Sequence, residues 1–189
     1  IQNMIREVRR LNGKKILMGE CGHAYRSMRG FLSTYDDGAA LPVVHVLELT
    51  SRLIEENRIE LDREAISEKV TYHDPCNIAR SGWIVDQPRK IIRSFIRNFR
   101  EMDHPGRDNY CCGGGGGTVT VGELKPYRMD IAGKRKAEQL KQTGADTVIA
   151  PCANCKKQIR ELITHYKLPM NLAGMHDLIF TAIKMKRTE

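Results

Sequence analysis

Thr147-Val148-Ile149-Ala150-Pro151-Cys152-Ala153-Asn154-Cys155 sets a short apolar run directly before a proline and a Cys-x-x-Cys pair. A run this short, with Gly144 before it and Pro151 after it, predicts a buried strand delivering its cysteines at the strand's end. Upstream, Ile131 to Gln142 has helical spacing, and Gly144 closes it. The same order of helix, glycine, strand and cysteine occurs near the start of the chain. There Ile1, Met4, Ile5, Val8 and Leu11 lie at helical spacing, Gly13 closes the run, Lys15 to Met18 reads as a strand, and Gly-Glu-Cys21 follows.

At a constant offset of 131 the two stretches match at Gly13/Gly144, Cys21/Cys152, Arg29/Arg160, Leu41/Leu172, His45/His176 and Leu47/Leu178. These identities fall on the glycine, the cysteine and the histidine that punctuate each copy, so an internal repeat is expected. Cys155 falls on Ala24, leaving the first copy half of its Cys-x-x-Cys. Residue 1 aligns with Ala132, deep inside the second copy, so the chain reads as the C-terminal part of a longer protein. Residues 1–62 read as the back half of a degenerate first repeat. Residues 63–189 read as a complete second repeat with its connector, the polar stretch Asn57 to Lys69 being expected as helical. Val70-Thr-Tyr reads as a strand entering His-Asp-Pro-Cys76, and Pro88 to Phe99 and Lys156 to Tyr166 as amphipathic helices. Alternating strands and helices imply an α/β fold of two pseudo-repeated halves, short parallel sheets flanked by helices, with the site at their seam.

Composition narrows the class. The 189 residues, 41% apolar and 29% charged, suit compact domains, and no apolar run approaches the ~20 residues that cross a bilayer. A cytoplasmic location is expected, where thiols stay reduced and close cysteine pairs point to metal rather than to disulfides. The net charge of +8 is spread over helix-like stretches such as Lys134, Arg135 and Lys136 with few aromatics between them. That pattern suits a solvated face or an acidic protein partner, and not nucleic acid.

Five cysteines fall in three well-separated stretches: Cys76, the vicinal pair Cys111-Cys112, and Cys152 with Cys155. Loops leaving one sheet edge can bring all five together. Thiolates suit both iron–sulfur clusters and zinc, but a structural zinc site takes four ligands, and a vicinal pair plus a fifth cysteine fits it poorly. A bare dithiol at Cys152 and Cys155 leaves the other three unexplained. The run Gly113 to Gly117 lacks the Lys-Ser/Thr ending of a phosphate loop. Gly113, Gly114 and Gly115 instead let backbone amides approach a large anionic group closely and donate to its sulfur atoms.

Tyr-His-Asp-Pro-Cys76, Cys111-Cys112-Gly-Gly-Gly and Cys152-x-x-Cys155 together resemble the CCG, or cysteine-rich domain, proteins of the heterodisulfide reductase type. Gly-Glu-Cys21-Gly-His-Ala-Tyr-Arg is similar, within that family, to catalytic subunits beside a membrane cytochrome, such as those associated with dissimilatory sulfite reduction. The resemblance implies a noncubane [4Fe-4S] cluster held by Cys76, Cys111, Cys112, Cys152 and Cys155, and cleavage or formation of a disulfide there. In an aerobic preparation the cluster is expected to be lost or replaced by zinc. The resemblance also implies a ferredoxin-like region and a first half-repeat outside this chain, a membrane cytochrome subunit, and a location on the inner face of the membrane through partners. The substrate is a disulfide, either of a small molecule or on a small sulfur-carrier protein.

Other candidates carry competing readings. Cys21 is a sixth ligand, a substrate-side thiol or the remnant of a decayed motif. His73 reads as a proton donor to a leaving thiolate or as a cap on the strand end. His45 and His176, at equal distances after their cysteines, suggest a shared structural role. Trp83 and Tyr110 read as core or site-wall aromatics.

Overall fold

The computed structural model describes residues 1–35 and 41–185. Helix α1 (Gln2–Arg10) leads into β1 (Ile16–Met18), α2 (Gly22–Tyr35), β2 (Val43–His45) and α3 (Val46–Glu55). After the connector come β3 (Val70–Tyr72), α4 (Cys76–Ala79), α5 (Asp86–Phe95) and β4 (Phe99–Arg100). A long loop with short turns reaches α6 (Lys125–Tyr127) and α7 (Lys134–Thr143), then β5 (Thr147–Ile149), α8 (Ala153–His165), β6 (Asn171–Ala173) and α9 (Met175–Ala182).

All pairings between named strands are parallel. β1 pairs with β2, and a second sheet runs β4-β3-β5-β6. Strands β3 and β5 are its centre, and every residue of both is buried, as expected where helices cover both faces. Tyr72, Ile78, Ile91, Ile92, Phe95, Ile149, Ile159 and Leu162 belong to the main core, while Ile5, Ile16, Met28 and Leu32 form a smaller one under α1 and α2. Among the described residues no helix is long and apolar enough to cross a membrane.

Two expected helices are shorter or absent. The amphipathic run from Pro88 does not continue to Phe99, because Ile96 turns extended and Phe99 pairs with Val70 as an edge strand. Asn57 to Lys69 is not helical. Asn57 takes a left-handed φ of 55°, and the backbone then hydrogen-bonds across to the C-terminal stretch, Asp62 N–H to Ala182 O and Lys184 N–H to Glu60 O. Burial of Leu61 and Ile66 holds it there.

The order β1-α2-β2-α3 recurs as β5-α8-β6-α9. The gapless histidine match fails, however. Ile16 pairs with Val43 and Thr147 with Asn171, and the first of these intervals is the longer by three positions, an insertion between the two strands of the first copy. His45 therefore ends β2 opposite Met18, while Ala173 lies opposite Ile149 and His176 sits inside α9. The two histidines do different work. His45 is buried, accepts the Leu47 N–H at the start of α3, and is pushed down to about 4 by burial. His176 reaches Glu20, and because a carboxylate only accepts, Nδ1 donates to Glu20 Oε1 at 2.7 Å.

Candidate functional site

Central strands β3 and β5 end side by side, and each delivers cysteine within a few residues. Cys76 begins α4 behind Pro75; Cys152 precedes α8 in extended conformation, and Cys155 lies in that helix's first turn. The third contribution, Cys111-Cys112, comes from the long loop and is held by residues flanking Cys76. Asp74 Oδ2 accepts the Gly106 N–H at 2.7 Å, and Arg80 donates to Arg107 O at 2.8 Å and Asn109 O at 2.5 Å. Arg89 in turn grips Asp74 and Glu101.

These three loops bring the five expected cysteines into one hydrogen-bonded run: Cys76, Cys111, Cys112, Cys155, Cys152. Cys112 Sγ lies 3.5 Å from Cys155 Sγ. Cys112, Cys152 and Cys155 are buried, Cys76 is half-buried and Cys111 is exposed, so the site opens to solvent at one end. Cys111 and Cys152 are the acceptors of the run. Bonds from Cys112 and Cys76 hold the Cys111 thiol far below the usual thiol range, and a bond from Cys155 holds Cys152 at about 5. Donation to Cys111 pushes Cys112 up to about 12.

Backbone amides surround the sulfur atoms. Gly113 N–H donates to Cys111 Sγ at 3.4 Å, Gly114 N–H to Cys112, Asn77 N–H to Cys76, and Gly22 and Asn154 N–H to Cys152. Two of the three singled-out glycines are sterically required. Gly113 has a φ of 86°, and a Cβ there would lie 2.9 Å from backbone atoms of Ala132 and Gly133. A Cβ on Gly114 would lie 2.7 Å from Gln158 Cβ. At Gly115 a Cβ would meet nothing within 4 Å, so close approach does not require glycine there.

His73 lies fully buried behind the run, where one of its ring nitrogens and the sulfur atoms of Cys112 and Cys155 all fall within 4.8 Å of one another. Burial holds its pKa well below the ordinary histidine range, and Lys136 adds to the effect, so the ring is neutral. Among the described residues neither ring nitrogen has a hydrogen-bond partner. A buried polar group left in this state costs ~1–3 kcal/mol, a cost removed by a group that supplies the missing partner. Five gathered thiols, inward amides and an unpartnered imidazole fit a thiolate-bound anionic cluster.

Sequence reasoning misplaced two residues here. Lys136 is not on a solvated face but fully buried, its ammonium on Gln139 Oε1 and 3.7 Å from Met102 Sδ; burial lowers it to about 8, opposed by the nearby thiols and Asp74. The available signal was its place on the face of α7 that also carries Gln139 and Leu140. Trp83 is not in the core but 61% exposed. Tyr110, next to the vicinal pair, stacks under Arg135 at 3.8 Å. Cys21 lies at the seam, one residue before the Gly22 amide that reaches Cys152, but the run of five thiols does not include it.

The family model for a cysteine-rich domain, CCG, matches residues 70–160, which hold all five cysteines of the run. Over 95% of its length the chain is 28% identical to a Hdr-like menaquinol oxidoreductase iron-sulfur subunit of Archaeoglobus fulgidus, covering 39% of that protein. It is 31% identical, over 79% of its length, to one subunit of the dihydromethanophenazine:CoB–CoM heterodisulfide reductase of Methanosarcina mazei, covering 36% of that subunit. It is 28% identical, over 96% of its length, to one subunit of the fumarate reductase (CoM/CoB) of Methanothermobacter marburgensis, again covering 36%. The chain thus spans well under half the length of each of these relatives.

Proposed function

We propose, from the chain's membership of the CCG cysteine-rich family of the heterodisulfide reductase type, that it is part of an iron–sulfur oxidoreductase subunit acting on a disulfide. The observation that carries this reading is the run of five thiols ringed by inward amides, with one end open at Cys111. Cys76, Cys111, Cys112, Cys152 and Cys155 are the ligands, and bound there a noncubane [4Fe-4S] cluster supplies single electrons and an iron with affinity for sulfur. The amides of Gly113, Gly114, Asn77 and Gly22 offset the negative charge of the thiolates. Exposure at Cys111 fixes the side from which a disulfide approaches, while Cys112, Cys152 and Cys155 are kept from water. His73 places a neutral N–H within reach of the sulfur atoms, where it can donate a hydrogen bond to a developing thiolate, while the two protons that cleavage of a disulfide to two thiols consumes come from water at the open end.

Within this reading the electrons pass through a ferredoxin-like region outside the chain and a membrane cytochrome subunit. The chain works on the inner face of the membrane through those partners, in sulfur metabolism. Its disulfide belongs to a small molecule or to a small sulfur-carrier protein. One observation favours a second reading, a structural zinc site: His73, Cys112 and Cys155 already form a compact set of nitrogen and sulfur donors. Iron and acid-labile sulfide per chain, with the visible spectrum of anaerobically purified protein, separate the two. Near four irons and four sulfides with visible absorption support the cluster. A colourless protein with stoichiometric zinc after anaerobic reconstitution overturns it.

A further inference from the structure

We propose that the cleft between α2 and the turn after α4, walled by Arg26, Arg29 and Trp83, docks an acidic peptide segment of a protein partner. The cleft encloses about 360 Å³ and is lined by Tyr25, Arg26, Arg29, Ser81, Gly82 and Trp83. Its rim is fixed. A Cβ on Gly82 would lie 2.5 Å from Ile78 O and 2.8 Å from Tyr25 Cε1, so the turn packs against α4 and Tyr25 at glycine distance. Arg29 pins that turn by donating to Gly82 O at 2.8 Å.

The next residue, Trp83, takes a φ of 61°, a left-handed conformation unfavourable for a bulky residue, and leaves its ring in water. The Arg107 guanidinium lies 3.5 Å from the ring centroid. Around this ring the arginines use neutral oxygens: Arg26 donates to Asn77 Oδ1, Arg29 to Tyr25 Oη and Gly82 O, and Arg80 to backbone carbonyls of Arg107 and Asn109. Glu48 accepts from the Tyr25 hydroxyl at 3.3 Å, while Arg26 and Arg29 line the cleft and Arg107 lies over the Trp83 ring at its rim.

Exposed tryptophan and arginine are the side chains over-represented at protein interfaces and among their energetic anchors. The cleft is open at Trp83, unlike small-molecule sites, which bury most of their ligand. An acidic surface is further steered to a chain of net charge +8. The segment would lie against α4, whose first residue is Cys76, about 6 Å along the helix axis from the turn.

Trp83 is the single tryptophan of the chain, so its emission reports the cleft whether or not any metal is bound. Failure here is therefore distinguishable from failure of the cluster reading. Titration with a hexaglutamate peptide at low salt should change the emission saturably. Arg26→Gln combined with Arg107→Gln should weaken binding roughly tenfold, about 1.4 kcal/mol. Arg160→Gln, on the exposed face of α8, should leave it within about twofold. Unchanged emission, or equal weakening by Arg160→Gln, overturns the proposal. Saturation by inorganic phosphate at lower concentration, with the same dependence on Arg26 and Arg107, overturns the peptide in favour of a small anion.

Discussion

Arg89 meets Asp74 through two parallel bonds, Nη1 to Oδ1 at 2.9 Å and Nη2 to Oδ2 at 2.7 Å, two residues before Cys76. Both side chains are nearly buried, 10% and 2% exposed, and Asp74 also accepts the Gly106 amide that leads to Cys111. Removing one member of such a pair leaves the other charge poorly compensated, at a cost of ~3–5 kcal/mol. Asp74→Asn should therefore lower the melting temperature by roughly 10 °C in calorimetry. It should also loosen the Cys111 loop, which faster proteolysis within residues 105–117 would show. An unchanged melting temperature means the pair contributes little.

Single cysteine substitutions separate ligands from neighbours. Cys111→Ser and Cys112→Ser should each abolish or convert the cluster signal in anaerobically reconstituted protein, since a hydroxyl is a poor replacement for thiolate. Cys21→Ser should retain iron. Iron loss with Cys21→Ser as large as with Cys111→Ser contradicts the five-ligand assignment, whereas retained iron with slower disulfide turnover places Cys21 on the substrate side.

The glycine run makes a graded prediction. Gly114→Ala must displace Gln158 and Val119, a local overpacking worth ~1–3 kcal/mol, and should reduce iron content along with stability. Gly115→Ala should change chemical-denaturation stability by less than about 0.5 kcal/mol and leave iron intact. Equal effects at the two positions would show that backbone freedom, rather than close packing, matters in this loop.

Glu20 sets an acid limit on the seam. Burial raises its pKa, but His176 and Lys156 more than offset that and hold it at about 2, below the ordinary value of 4.5. Its contribution to stability is complete above pH ~4.5 and is lost as pH falls towards 2, on the order of 3 kcal/mol. Denaturation midpoints measured between pH 6 and pH 3 should fall in the native chain, with a flatter slope in Glu20→Gln. Parallel slopes would assign the acid sensitivity to other groups.

The parallel α/β pattern was legible because Thr147 to Ala150 and Val70 to Tyr72 are short apolar runs that end at cysteines, and central parallel strands have no polar face to disguise them. The grouping of the five cysteines followed from placing their loops at one sheet end. Less legible were features set by distant partners. Phe99 carries a helical pattern but pairs with Val70, and Leu61 sits in a polar stretch but bridges to Ile183. Lys136 and Trp83 reverse the usual burial of their types: the lysine is enclosed beside thiols and Asp74, and the tryptophan is turned outward by its backbone. Composition carries no trace of either. The repeat misaligned its histidines because the insertion before β2 leaves the identities at His45 and His176 coincidental.

The pairing of Val70 with Thr147 joins strands that lie far apart in sequence, and that separation imposes a timetable on the site. A nascent chain halted before Thr147 already contains Cys76, Cys111 and Cys112, but lacks the strand that brings them to Cys152 and Cys155. Closure of so long a loop is slow and comes late. On the cluster reading, metal loading is therefore an event of the finished sheet rather than its seed, and premature iron would meet loose thiols instead of a cradle.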